Sequence, residues 1–165
     1  MSRETLTLKL LKTIKGSYRP RGEEVSVLAG LARMNKLCLA YLRAVGDVLG
    51  DELLCEEARY RWFMGNAVEV VKALNGLSYA LYKFRKPVDH VSVDLDILIA
   101  GSDVPRAVRA LRERGFKVIS PEPYTVTLAR RGFIVDLYTH PSFAWVVYMD
   151  GERLLGDHVE DIEVD

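Results

Sequence analysis

Hydrophobic and polar positions alternate most clearly late in the chain. Val91-Ser92-Val93-Asp94-Leu95-Asp96-Ile97-Leu98-Ile99 predicts a strand with Val91, Val93, Leu95, Ile97 and Ile99 on one face. Ser92, Asp94, Asp96 and Leu98 fall on the other, so the two aspartates are neighbours with Cα atoms roughly 6.5–7 Å apart. Phe133–Tyr138 predicts a second strand, with Ile134, Asp136 and Tyr138 sharing a face. Phe116–Ser120 and Tyr124–Arg130 read as further strands, and Arg131-Gly132 as a tight hairpin into the Asp136 strand. Between the aspartate strand and these, Pro105 opens a helix through Arg114 with Val108 and Leu111 inward and its arginines outward; Gly115 ends it. Trp145–Met149, Asp150-Gly151 and Glu152–Leu155 read as a hairpin.

The first half has helical periodicity instead. Ser2 or Thr5 can cap a first helix with Leu6, Leu10, Leu11 and Ile14 on one face. Glu23–Arg33 reads as a second, and Asn35 can cap a third running to about Val45. After the Gly46–Gly50 break, Asp51 can cap a fourth helix through Met64, with Gly65 in the position of a terminating glycine. Val68–Leu74 allows two readings. Asn66 with Glu69 makes a helical capping box, whereas Val68, Val70 and Val71 favour a strand. Asn75-Gly76 then turns, and Leu77–Phe84 has Leu77, Ala80, Leu81 and Phe84 at helical spacing. Strand, glycine turn and helix N-terminus would together form an anion site.

The result is an α+β fold: helices over 1–50, then a mixed-sheet domain over 51–165. The 165 residues, 49% of them apolar, suffice for a packed core. Net charge is zero, so no global field selects nucleic acid or membrane. Residues 1–43 carry nine Lys/Arg against three acids, and residues 150–165 carry seven acids against Arg153. Three short helices with a basic bias resemble a helix-turn-helix or winged-helix module with Asn35–Val45 as recognition helix; a packing appendage with a solvated basic face gives the same pattern. Cys38 and Cys55 lie in helical patterns without metal-ligand spacing and read as reduced core residues of a cytoplasmic protein. No apolar run approaches the roughly 20 residues that span a bilayer. The absence of Gln, with only three Asn, leans towards a thermophile.

Two aspartates on one strand face and Asp136 on a later strand have two explanations. They are solvated carboxylates on an edge, or they share a divalent metal. His90, His140 and His158 show no ligand spacing with one another.

The motifs Leu74-Asn75-Gly76-Leu77-Ser78, Asp94-Leu95-Asp96-Ile97 and Val135-Asp136-Leu137 together resemble the nucleotidyltransferase superfamily, the fold of the DNA polymerase beta catalytic domain. They are similar to a prokaryotic branch that includes AbiEii-type toxins. The resemblance covers roughly residues 66–155 and requires a strand at Val68–Leu74. It implies that Asp94, Asp96 and Asp136 hold Mg²⁺ or Mn²⁺, and that Gly76 and Ser78 bind phosphate oxygens of an NTP. The cluster Lys83, Arg85 and Lys86 reads either as a solvated helix end or as a triphosphate contact, for which the spacing does not choose among the three; Lys83 is taken as the candidate. The implied reaction transfers a nucleoside monophosphate to an acceptor hydroxyl. Asn75 replaces the family's first glycine, and the spacing from Gly76 to Asp94 is longer than usual. The alternative is therefore an inactive binding or regulatory module, with nucleic acid meeting the basic N-terminal helices. Exposed hairpin edges make a homodimer a further expectation.

Overall fold

The computed structural model describes residues 5–84, 87–144 and 146–157. The chain divides into two compact units. One runs to Trp62 and takes back the segment ending at Val91; the other begins at Phe63 and resumes at Ser92.

The first unit holds α1 (Leu6–Ile14), α2 (Glu23–Met34), α3 (Cys38–Val45), a 3₁₀ turn at Gly46–Leu49, and the first half of α4 (Gly50–Ala73). Thr5 caps α1 by accepting from the Leu8 N–H at 3.3 Å. Leu10, Leu28, Ala29, Ala32 and Tyr41 form its core. The buried Tyr41 hydroxyl donates to the Val25 carbonyl at 2.9 Å, which satisfies the one polar atom that ring brings inside. Asn35 does not cap α3. Its side chain donates back to the Leu31 carbonyl at 2.8 Å, closing α2, and α3 starts only at Cys38. Of the two cysteines, Cys38 is half-buried and Cys55 is exposed, so only Cys38 touches the interior.

The second unit is a five-stranded mixed sheet in the order β1-β2-β5-β4-β3, from β1 (Tyr79–Leu81), β2 (Asp94–Ile99), β3 (Lys117–Pro121), β4 (Thr125–Arg130) and β5 (Phe133–Tyr138). Only the β2–β5 pair is parallel. The second half of α4 and α5 (Val104–Glu113) supply the helices that pack on one face of this sheet. Phe63, Ala67, Val70 and Leu74 from α4, with Ala107 and Leu111 from α5, meet Leu95, Ile97, Ile99, Leu128, Phe133, Val135 and Leu137. That face is shut; the other carries the aspartates.

Two expectations fail here together. Val68–Leu74 is not a strand, and Gly65 does not end the preceding helix: α4 runs unbroken to Ala73. The stripe Phe63, Ala67, Val70, Leu74 has helical spacing and is fully engaged, so packing overrides the β preference of the valines. The chain turns instead at Gly76, whose φ of +78° is the left-handed conformation that glycine adopts freely. Leu77–Phe84 is correspondingly not a helix. Leu77, Tyr79 and Leu81 alternate onto the core with period two, and β1 pairs antiparallel with β2.

The final expected hairpin is also replaced. A short pair joins β6 (Ser142–Phe143) to β7 (Val146–Val147), with Trp145 outside the described residues. Asp150-Gly151 then opens α6 (Gly151–Asp157). The Asp150 carboxylate accepts from the N–H groups of Glu152 and Arg153 at 3.0 and 3.3 Å, acting as a cap where a turn was expected. The acidic residues from 158 onward, with His158, lie outside the described residues. The strands over β3–β5, the Arg131-Gly132 hairpin and α5 follow the sequence reading. Among the described residues, no helix is long and apolar enough to cross a membrane.

Candidate metal centre

Side-chain alternation along β2 buries Leu95, Ile97 and Ile99 and leaves Asp94 and Asp96 on the open face. Along β5 the same alternation buries Phe133, Val135 and Leu137 and leaves Asp136 on that face. Parallel pairing sets Asp96 directly opposite Asp136, and Asp94 opposite Ile134. The consequence is that Asp94, Asp96 and Asp136 each offer a carboxylate oxygen, all within 4.8 Å of one another. Asp94 is exposed; Asp96 and Asp136 are half-buried.

This crowding has an electrostatic signature. Burial, and then the charges of Asp94 and Asp136, push the Asp96 carboxyl above the usual carboxylate range, opposed chiefly by Lys83. Asp136 is likewise raised, mainly by burial and also by Asp94 and Glu122, while the hydrogen bond from Thr127 pulls it down. Asp96 and Asp136, half-buried and shifted towards the protonated form, gain from a divalent cation that offsets their mutual repulsion. All donors are hard oxygens, the type that suits Mg²⁺ and Mn²⁺.

Lys83 supplies the cation among the described residues of the site. It follows β1 with φ +56°, in a turn that begins where the Tyr82 N–H donates to the Asp96 carbonyl at 2.8 Å. Its ammonium stands 3.9 Å from Asp96 Oδ2, 4.6 Å from the Tyr82 ring centroid and 5.9 Å from that of Tyr138. The two rings meet edge-on at 6.2 Å. Burial, then Tyr148, holds the Tyr82 hydroxyl up at about 12. Burial and the neighbouring Asp96 and Asp136 raise Tyr138 well beyond the usual tyrosine range.

The other predicted residues do not join this group. Ser78 and Gly76 precede β1, at the end of the strand pair marked by the bond from the Ala100 N–H to the Ser78 carbonyl (2.9 Å). Asp96 is four residues back along β2, about 13 Å at strand rise. The Ser78 N–H is taken by the Asp103 carboxylate at 2.9 Å. The expected strand–glycine–helix anion site is not formed, because the turn leads from a helix into a strand. Arg85 and Lys86 lie outside the described residues. His140 serves the fold: its Nδ1 accepts from the Gly151 N–H at 3.0 Å, and its ring meets Tyr124 at 5.8 Å.

Three site residues escaped the sequence reading as chemistry: Tyr82, Tyr138 and Thr127. Thr127 was recoverable in principle. A two-residue hairpin pairs Arg130 with Phe133, which places Thr127 opposite Asp136. In the first unit, α3 buries Leu39, Tyr41 and Leu42, and Arg43 is held by Glu57 at 2.7 Å and Asp89 at 2.5 Å. Of the two basic residues in the expected recognition helix Asn35–Val45, Arg43 is thus engaged by carboxylates, and Lys36 precedes α3 with φ +59°.

Compared with known proteins, the sequence matches no protein-family model and no curated protein.

Proposed function

We propose that this chain is a metal-dependent nucleotidyltransferase, moving a nucleoside monophosphate from an NTP to an acceptor hydroxyl. The single observation that carries the reading is the convergence of Asp94, Asp96 and Asp136 from two adjacent parallel strands onto one open face. Asp94, Asp96 and Asp136 would hold Mg²⁺ or Mn²⁺. Bound there, the ion would supply Lewis acidity to the phosphoryl oxygens and lower the pKa of the acceptor hydroxyl. Lys83, beside Asp96, neutralises charge on the non-bridging phosphate oxygens. Asp136, at the β4 side, faces the acceptor and accepts its proton as the hydroxyl attacks the α-phosphorus; pyrophosphate departs from the Lys83 side.

A specific observation favours a second reading, a binding or regulatory module that lacks chemistry. No helix N-terminus with a glycine turn faces the aspartates, so backbone cradling of the triphosphate is missing among the described residues. Titration calorimetry with each NTP decides between the two, run with Mg²⁺, Mn²⁺ or chelator on wild type and on Asp94→Asn/Asp96→Asn. Metal-dependent binding lost in the double variant supports the transferase, and acceptors are then screened with labelled nucleotide. A folded wild type that binds no NTP under any condition sinks it.

A further inference from the structure

We infer that Lys83 makes this site selective for a metal–polyphosphate complex over the free divalent ion; the inference rests on the metal-centre reading above. The site is polar from side to side. Across the open face the row runs Tyr82, Asp96, Asp136, Thr127, from β1 to β4. Its β1 end is cationic and aromatic; its β4 end is a hydroxyl, with the Glu122 charge acting on Asp136.

Lys83 occupies the β1 end as an internal counter-ion. It is half-exposed, whereas the Asp96 side chain it faces is mostly covered. A free divalent ion taken up by Asp96 must share that carboxylate with an ammonium 3.9 Å from its Oδ2, and two cations on one carboxylate repel. An ion arriving on a polyphosphate brings net negative charge, which turns the same ammonium from an obstacle into a partner. The lysine stem is flexible enough to exchange Asp96 for a phosphate oxygen. The Tyr82 and Tyr138 rings hold the ammonium over the site during that exchange, so its charge stays in place. This geometry lays the polyphosphate along the β1 side and leaves the Asp136–Thr127 side for the second substrate.

The test uses the full chain with two probes, Mn²⁺ alone and Mn²⁺–tripolyphosphate, followed by calorimetry and electron paramagnetic resonance. The variants are Lys83→Gln, which keeps a similar stem without charge, and Asp94→Asn/Asp96→Asn. The two affinities should move in opposite directions in Lys83→Gln. Free Mn²⁺ should bind about two- to fivefold more tightly as an exposed ion pair is relieved. Mn²⁺–tripolyphosphate should bind about tenfold or more weakly as a charge-assisted phosphate contact is lost. If wild type binds both probes, the aspartate variant loses them, and Lys83→Gln leaves their ratio unchanged, this inference is wrong while the metal centre stands. If folded wild type takes up neither probe, the metal centre falls and the inference with it.

Discussion

The Thr127 hydroxyl donates to Asp136 Oδ1 at 2.5 Å, from the position directly opposite on the neighbouring antiparallel strand. One oxygen of the third carboxylate is thereby fixed by the sheet itself, which orients the group that brings an oxygen within 4.8 Å of those of Asp94 and Asp96. Partners of this kind orient a ligand and typically govern affinity by 10–100-fold. Thr127→Val should therefore weaken Mn²⁺ binding by about 10-fold or more, and Thr127→Ser should restore most of it. Calorimetry on both variants, with thermal unfolding as a folding control, checks this. Equal affinities in Val and Ser variants would remove Thr127 from the site.

Asp96 and Asp136 both have carboxyls raised by burial and by neighbouring acids. A native state that holds protons more tightly than the unfolded chain loses stability as pH rises from the unfolded carboxylate pKa, about 3.9, to the raised native one. Asn at either position removes that loss. With chelator present, Asp96→Asn or Asp136→Asn should melt increasingly above wild type as pH climbs through this window. The difference should vanish at the acid end and shrink or reverse with added Mg²⁺. A constant offset at all pH values would refute the electrostatic account.

Gly65 separates the expected helix end from the observed one. Within α4 it has no positive φ, and a Cβ there meets nothing within 4 Å. Gly65→Ala should stabilise the protein by about 0.5–1 kcal/mol, because alanine restricts the unfolded chain and suits a helix. Had Gly65 terminated the helix in a left-handed conformation, the same change would destabilise it. Urea denaturation reads the sign directly.

Gly151 is the opposite case. A Cβ there would stand 1.9 Å from the Thr139 carbonyl oxygen, a backbone atom, at the point where α6 docks against the end of β5. Gly151→Ala should cost about 1–3 kcal/mol and loosen α6, whereas Gly156→Ala in the same helix, with open space around it, should be tolerated. Denaturation midpoints and hydrogen exchange over residues 150–157 compare the two.

Much of the candidate site was written in local sequence. Period-two alternation set Asp94 with Asp96 and aligned Ile134, Asp136 and Tyr138, since that periodicity is a property of the extended chain and needs no partner. The Arg131-Gly132 turn, with φ of +50° and +84°, fixed the β4–β5 register for the same local reason. The tertiary structure decided the rest. Whether Val68–Leu74 became helix or strand depended on what lay beneath it: the stripe from Phe63 to Leu74 found a sheet face to cover, and burial outweighed the preference of three valines. That choice made β1 a strand, moved Gly76 and Ser78 away from the aspartates, and brought Tyr82 and Lys83 towards them. The parallel pairing of β2 with β5, which puts Asp96 opposite Asp136, joins residues 40 positions apart. Contacts over such separations leave no periodic trace, because they are selected by packing of the whole core rather than by any one segment.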